Sequence, residues 1–220
     1  MPRHFDDELE QVKERVLRLG SIVEAMVENA VSSLVDCDSR LANDTIASDQ
    51  RADLLEVEID EACIRLLALH QPAAGDLRFV TTAMKVSTDL ERMADQAVNI
   101  SQRAIELNEE PQLKPYIDIP IMSQLSQTML RNSLDAFVRK DVGLAREVIE
   151  ADNKVDALKN QVFRELLTFM MEDPRTIPRA IRLILVSRHL ERIADHATNI
   201  AEMVVFLVEG RNIRHATRQG

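Results

Sequence analysis

The sequence predicts an all-α protein, built as a tandem duplication of a three-helix bundle with six long antiparallel helices. The 220 residues include 5 glycines, no tryptophan and one tyrosine, whereas sheet proteins use glycine-rich turns and aromatic residues far more heavily. The prolines are grouped so that they leave long uninterrupted intervals. Within those intervals apolar residues recur at alternating spacings of three and four, which is typical of helices packed along one seam.

The first half is expected to hold three helices, at about residues 5–36, 40–70 and 76–108. The break after the first helix precedes Asp38 and Ser39, either of which is a suitable N-cap for the second. Pro72 and Gly75 separate the second helix from the third, because proline is costly inside a helix and glycine suits turns. Gly20 is the exception, since it lies inside the first predicted helix.

A proline-rich linker divides the predicted helices three and three. We expect the second half to hold helices at about residues 121–139, 142–171 and 177–209. The predicted organisation is a first repeat at 1–110, a linker at 111–120, a second repeat at 121–210 and a basic tail at 211–220. The two repeats are expected to form separate bundles.

An internal repeat supports this division. Residues 89–101 (DLERMADQAVNIS) and 189–201 (HLERIADHATNIA) agree at eight of thirteen positions, at an offset of 100. The second helices of the two halves align at an offset of 103, with Asp49 and Asp53 on Asp152 and Asp156. The apolar seam predicted for the second helix of the first half is Ala52, Leu55, Ile59, Ala62, Leu66 and Leu69. The seams of the two third helices include Leu90, Met93, Ala97 and Ile100, and Leu190, Ile193, Ala197 and Ile200.

Each half carries two pairs of acidic residues at spacing i, i+4, which puts both carboxylates of a pair on one helix face. Hard cations prefer carboxylate and amide oxygens, so Fe, Mn, Mg or Ca ions fit these pairs better than Zn or Cu ions. The candidate metal ligands are Asp49, Asp53, Glu91 and Asp95 in the first half and Asp152, Asp156, Glu191 and Asp195 in the second. Possible additional ligands, one turn further along, are Asn99 and Asn199.

A solvated acidic face without metal explains the same residues. Relative to the apolar seam, Glu91, Asp95 and Asn99 take outward positions, where charged residues are expected. Arg92 and Arg192 are close enough in sequence to neutralise the acids. A metal ion bound by these residues therefore has to lie near the surface.

Composition and motifs disfavour several classes of function. The net charge of −10 argues against a nucleic-acid binder. No apolar run approaches the roughly 20 residues that span a bilayer, and the N-terminus is no signal peptide, so we expect a cytoplasmic protein. No Glu-x-x-His motif occurs, although ferritin-like di-metal sites need it from two helices. With no glycine-rich phosphate loop either, the prediction is a protein that is not an enzyme and has no organic cofactor.

The motif Leu-Glu-Arg-x-Ala-Asp-x-Ala-x-Asn-Ile on the third helix of each half resembles the PhoU family, the phosphate-specific transport system accessory proteins. The segment before the first of these helices, Gln-Pro-x-Ala-x-Asp-Leu-Arg at residues 71–78, is similar to that family as well. The second half lacks this segment. The resemblance covers about residues 5–210.

The resemblance implies a cytoplasmic negative regulator of phosphate uptake and of the phosphate-starvation response. It implies two partners, the ATPase subunit of the phosphate ABC transporter and the phosphate-sensing histidine kinase. It also implies two three-helix bundles, a homodimer, and in some members iron or other metals at the acidic motifs. On the residues alone, a metal-free helical scaffold and a carboxylate-bridged metal enzyme remain as alternatives.

Overall fold

The fold consists of six long helices, in a computed structural model that describes residues 2–211 and 213, with side chains from residue 5 onward. The first three helices are α1 (Pro2–Val35), α2 (Ser39–His70) and α3 (Ala74–Asn108). The last three are α4 (Asp118–Arg139), α5 (Val142–Glu172) and α6 (Ile177–Glu209), with a 3₁₀ turn at Pro174–Thr176 before α6. The described residues contain no strand, and the all-α class is confirmed. None of their helices is long and apolar enough to cross a membrane.

Capping side chains fix the starts of α2 and α5. Asp38 accepts hydrogen bonds from the backbone N–H groups of Arg40 and Leu41, at 2.9 and 3.0 Å. Asp141 accepts one from the N–H group of Leu144 at 3.0 Å. Each such cap contributes about 1 kcal/mol, and both lie at breaks that the sequence predicts.

The main difference in helix bounds concerns α4, which starts at Asp118 and not at residue 121. Pro120 therefore lies inside the first turn of α4. The N–H groups of a first turn have no acceptor within the helix, so a proline costs little there. The predicted basic tail lies outside the described residues apart from residues 211 and 213.

Each repeat folds as a three-helix unit, but the two units share one hydrophobic core. α1, α2 and α3 pack on one another, as do α4, α5 and α6. α3 also packs along α6, and α1 along α4, so the expectation of separate bundles is wrong. Buried apolar residues from all six helices form a single cluster. The seam residues at the centre of this cluster are fully buried: Leu90, Met93, Ala97, Ile100, Leu190, Ile193, Ala197 and Ile200.

The seam predicted for α2 is wrong at its last member. Leu69 has 67% of its surface exposed, whereas Leu66 has 2%. His70 is the residue of this last turn that contacts α1. Its ring centre lies 5.0 Å from that of Phe5, and its Nε2 lies 2.7 Å from Oε2 of Glu8. Because His70 takes the contact with α1, the neighbouring Leu69 is turned toward solvent.

Polar contacts between α3 and α6 involve two of the five positions at which the two motifs differ. His189 Nδ1 lies 2.9 Å from Oε1 of Gln96, and His196 Nδ1 lies 2.7 Å from Oδ1 of Asp89. Asp89 aligns with His189 in the repeat, and Gln96 aligns with His196. Burial, followed by nearby arginine charges, lowers the pKa of His189 to about 4, so this ring is neutral at pH 7.

Gly20 lies where α1 meets α4. It is buried, and a Cβ atom at this position would overlap the side chain of Leu134. The missing side chain lets the two helices approach closely. This contact between the repeats accounts for a glycine in the middle of a long helix, where it otherwise costs about 1 kcal/mol relative to alanine.

We expect Gly20→Val to lower the free energy of unfolding by about 1–3 kcal/mol, because the added methyl groups overpack against Leu134. Chemical denaturation followed by circular dichroism measures the change. Gly75→Val is the matched control, since a Cβ atom at Gly75 meets nothing within 4 Å. Equal losses of stability in the two variants would contradict the steric explanation.

Candidate metal sites

The structure brings the two acidic pairs of each repeat together between neighbouring helices. Three residues join α2 to α3, and the two helices pack side by side, so they run in opposite directions. Asp49 on α2 lies near enough to Asp95 on α3 for their charges to interact. Asp152 on α5 interacts in the same way with Asp195 and Glu191 on α6. The acids therefore form one cluster in each repeat.

The cluster of the first repeat carries unrelieved negative charge. Burial, followed by the charges of Asp53 and Asp95, raises the pKa of Asp49 above its ordinary value. Burial, followed by the charge of Asp95, also raises the pKa of Glu91. Both carboxylates are thus held where ionisation is opposed by their surroundings.

Glu56 and Arg92 complete this first cluster. Glu56 on α2 accepts a hydrogen bond from Oγ1 of Thr88 on α3, at 3.4 Å. Arg92 has 58% of its side chain exposed, with Nε 3.4 Å from Oε2 of Glu91 and a terminal nitrogen 3.5 Å from Oδ2 of Asp95. These ion pairs stay within α3, and exposed pairs of this kind contribute at most about 1 kcal/mol.

The cluster of the second repeat contains a lysine. Burial, followed by the charge of Asp195 and of the other two acids, raises the pKa of Asp152 to about 6. Lys159 Nζ lies 2.7 Å from Oδ1 of Asp156 and 2.9 Å from Oε1 of Glu191, so its ammonium group joins α5 to α6. Burial opposes the charge on Lys159, but these two hydrogen bonds and the negative charges of the same two acids together outweigh it and raise the pKa of Lys159.

Glu56 and Lys159 are members of the clusters that sequence reasoning missed. Each stands three residues after an acid of the predicted pairs, Asp53 in one repeat and Asp156 in the other. The offset of 103 that aligns those acids also aligns Glu56 with Lys159. Continuing the comparison of the repeats by one helical turn finds both residues.

The two asparagines make different contacts. The side-chain amide of Asn99 donates to the backbone carbonyl of Asp95 at 2.8 Å, which keeps it beside the first cluster. The amide of Asn199 donates to Oδ1 of Asp89 on α3 at 3.2 Å. Asn199 is therefore engaged with the opposite repeat and not with the second cluster. A role as metal ligand stays a prediction for both.

All eight predicted ligands lie at the protein surface, as their outward positions predict. Glu191 has 21% of its side chain exposed and Asp156 has 48%. Among the described residues, no three His, Cys, Asp or Glu side chains converge closely enough to hold a metal ion. The donors are all carboxylate oxygens, which suit a hard cation. Binding one would require these surface side chains to turn toward each other.

Grooves at equivalent places beside the two clusters have different linings. Their volumes are about 450 Å³ in the first repeat and 510 Å³ in the second. The lining residues at matching repeat positions are Asp60, Met84 and Thr88 in the first groove and Phe163, Ile184 and Arg188 in the second. The first groove is thus acidic at its α2 wall and extends to Asn199 and Met203 of α6. In the second groove the α5 wall combines Phe163 with polar side chains, and the α6 wall carries both basic and acidic ones.

An apolar stripe continues from the second groove along α5. It consists of Phe163, Leu167 and Met171, at spacings of four residues, which are 49%, 43% and 78% exposed. Ile181 on α6 is 47% exposed. Single exposed apolar residues are ordinary, but a row of them on one helix is typical of a surface that docks another protein.

A domain model and curated relatives match nearly the whole chain. The PhoU domain model matches residues 16–104 and 119–204. A protein of Aquifex aeolicus named phosphate-specific transport system accessory protein PhoU homolog is 47% identical over 208 residues, which is 94% of each chain. The homolog of the same name from Pseudomonas aeruginosa is 44% identical over 214 residues, 97% of this chain and 88% of that one.

Two solved structures have the same fold. The crystal structure of PhoU from Pseudomonas aeruginosa superposes with a TM-score of 0.91 at 44% identity, covering 94% of this chain and all of the other. The phosphate transport system regulatory protein PhoU from Streptococcus pneumoniae superposes with a TM-score of 0.88 at 31% identity. That match covers 94% of this chain and 98% of the other.

We expect Asp152→Asn to raise the free energy of unfolding at pH 7 by about 1–2 kcal/mol, after allowing for solvent screening. The folded protein raises the pKa of Asp152 from 3.8 to about 6, so it binds the proton more tightly than the unfolded chain does. Stability from this group therefore falls as the pH rises from about 4 to about 6 and stays low above that.

Denaturation curves at about pH 3.5, 5 and 7, with a chelator present, measure this effect. These pH values lie below, within and above the interval over which Asp152 titrates. The asparagine variant should gain stability at pH 7 and should match the wild type at the lowest pH. Glu147→Gln, at an exposed position of α5, is the control. A gain of equal size at all three pH values would show that repulsion among the acids is not its cause.

Proposed function

Because the chain belongs to the PhoU family, we propose that it is an accessory protein of phosphate transport, a cytoplasmic regulatory adaptor that restrains high-affinity phosphate uptake and phosphate-starvation signalling. The observation that carries this proposal is the 47% identity to the Aquifex aeolicus accessory protein over 94% of both chains. The regulatory role follows the description of the Streptococcus pneumoniae protein as a regulatory protein. An adaptor acts by binding, so the proposal includes no catalytic residue.

The proposed partners are the ATPase subunit of the phosphate ABC transporter and the phosphate-sensing histidine kinase, with a homodimer as the working form. The apolar stripe on α5 supports docking of this kind, because half-exposed Phe163 and Leu167 and the more exposed Met171 offer apolar area that α6 does not cover. Aromatic and methionine side chains are enriched at such interfaces.

The acidic clusters are proposed to bind hard cations such as Fe, Mn or Mg ions. Asp49, Asp53, Glu91 and Asp95 would hold one cation in the first repeat. Their equivalents in the second repeat are Asp152, Asp156, Glu191 and Asp195. Two features support the proposal: the donors are all oxygens, and burial, followed by mutual repulsion, raises the pKa of members of both clusters. A bound cation relieves that repulsion and links α2 to α3 or α5 to α6.

A metal-free adaptor is the second candidate, since no three acidic side chains of the described residues converge as they stand. In that case the same clusters act as charged docking surfaces. The apolar seams hold the helices together in both cases, so the two candidates differ in metal content and not in fold.

Deletion of this protein is expected to raise phosphate uptake and to switch on starvation genes in phosphate-rich medium, because the proposed restraint is lost. Uptake of labelled phosphate and a starvation-gene reporter measure both effects. Wild-type protein supplied in trans should reverse them, and Leu167→Asp should not, since a charge in the apolar stripe weakens docking by roughly tenfold or more.

Val208→Asp is the control for this experiment, because Val208 is exposed to nearly the same extent as Leu167, at 42%, but lies near the end of α6 and outside the stripe. Pull-down of the transporter ATPase with each variant separates lost docking from lost folding. If the deletion changes neither uptake nor the reporter at high phosphate, the adaptor proposal is wrong.

Replacing Asp95 and Asp195 together by asparagine is expected to weaken Mn²⁺ binding by about tenfold or more, because affinity depends on the number of charged ligands. Calorimetric titration of chelator-treated protein measures it, and elemental analysis gives the metal content. A double variant of exposed acids outside the clusters, Glu28→Gln with Glu147→Gln, is the control. A wild type that takes up no metal under any loading condition would favour the metal-free adaptor.

A further inference from the structure

The two acidic clusters differ in the cation that they already contain. In the second repeat, the ammonium group of Lys159 lies 2.7 Å from Asp156 on its own helix and 2.9 Å from Glu191 on α6. The side chains of Lys159 and Glu191 are 27% and 21% exposed, so solvent screens this contact only in part. A positive charge therefore bridges α5 and α6 between two of the predicted ligands.

The first repeat has a carboxylate where the second has this lysine. Glu56 aligns with Lys159, and it contacts α3 through the hydroxyl group of Thr88 at 3.4 Å. The ion pairs of Arg92 run to Glu91 and Asp95, which both belong to its own helix. The first cluster thus has one carboxylate more than the second. It lacks the positive charge that joins two helices in the second repeat, because Glu56 stands in place of Lys159.

We propose that Lys159 acts as a built-in cation of the second repeat, so that the first repeat is the tighter of the two sites for an added hard cation. This inference rests on the proposed metal binding. The second repeat indicates that such a cluster binds positive charge, because the ammonium group of Lys159 joins its two helices through the acids equivalent to Asp53 and Glu91. In the first repeat Arg92 pairs only within α3, so a cation that joins α2 to α3 has to come from solution.

Competition between the two kinds of cation explains the difference in affinity. A metal ion that used Asp156 and Glu191 would have to displace the ammonium group of Lys159 and break two charge-assisted hydrogen bonds. In the first repeat the metal ion would displace only Arg92, which is 58% exposed and pairs with Glu91 and Asp95 over longer distances of 3.4 and 3.5 Å. Glu56 adds a further oxygen ligand within the same cluster. Affinity for hard cations rises with the number of charged ligands.

Mn²⁺ titrations of the full chain, with free Mn²⁺ read by electron paramagnetic resonance, test this asymmetry. Asp156→Asn with Asp195→Asn silences the second site and leaves the first, and Asp53→Asn with Asp95→Asn does the reverse. We expect the remaining first site to bind Mn²⁺ at least about tenfold more tightly than the remaining second site, which is the usual effect of altering a supporting group around a metal.

Exchanging the residue at the aligned position tests the cause. Where only the second site remains, Lys159→Gln should tighten Mn²⁺ binding by about tenfold. Where only the first site remains, Glu56→Lys should weaken it by a similar factor. Lys154→Gln is the matched control, because Lys154 is an exposed lysine of the same helix and its replacement changes the net charge equally. Circular dichroism checks that each variant is folded.

The outcomes separate this inference from the proposal on which it rests. If both sites bind Mn²⁺ equally and Lys159→Gln has no effect, the inference is wrong although the clusters do bind metal. If Lys154→Gln tightens binding as much as Lys159→Gln does, net charge is the cause and the built-in cation is likewise rejected. If neither site binds Mn²⁺ in any variant, the metal proposal and this inference both fail.

Discussion

The packing of α3 along α6 is the constraint on which the rest of the structure depends. Each of these helices has more than 30 residues, about 50 Å of length, and an apolar seam that runs from end to end. Each of the two packs on both other helices of its own repeat and also on its counterpart in the opposite repeat. Their mutual packing joins the two repeats into one core, and α2 and α5 then lie outside this central pair. The acidic clusters follow from this arrangement, since they occupy the outer faces where α2 meets α3 and α5 meets α6.

The same packing explains why the duplicated motifs are not identical. The two helices run in opposite directions, so the residue at position 89 or its equivalent in one helix faces the residue at position 96 or its equivalent in the other. Asp89 and His196 form one of the observed pairs, and Gln96 and His189 form the other. Each histidine replaces a different side chain of the first repeat, so every contact joins a donor to an acceptor. Two of the five positions that distinguish the motifs therefore contact the opposite repeat.

Local chemistry made most of the fold predictable, and contacts distant in sequence account for the rest. Proline and glycine positions gave most of the helix boundaries, and Asp38 and Ser39 indicated the start of α2, because capping involves neighbouring residues. The buried faces of α3 and α6 followed from periodicity. Periodicity does not reveal which helix covers an apolar face, so the joining of the repeats was missed. For the candidate sites, spacing placed the acids on shared faces, but the contact of Lys159 with Glu191 links residues 32 apart in the chain.

The ionised carboxylates of the acidic clusters lower the stability of the folded protein, and this cost is relevant to the function of the clusters. Raised pKa values at Asp49, Glu91 and Asp152 mean that their ionised forms are less stable in the folded protein than in the unfolded chain. A face kept only for solubility gains nothing from carboxylates that repel one another at matched levels of two helices. The apolar core supplies the stability that offsets this repulsion, and it leaves the outer faces free to differ. Glu56 with Asp60 in one repeat and Lys159 with Phe163 in the other are the result of that freedom. The two outer faces therefore differ in charge at these positions, although one core lies beneath both of them.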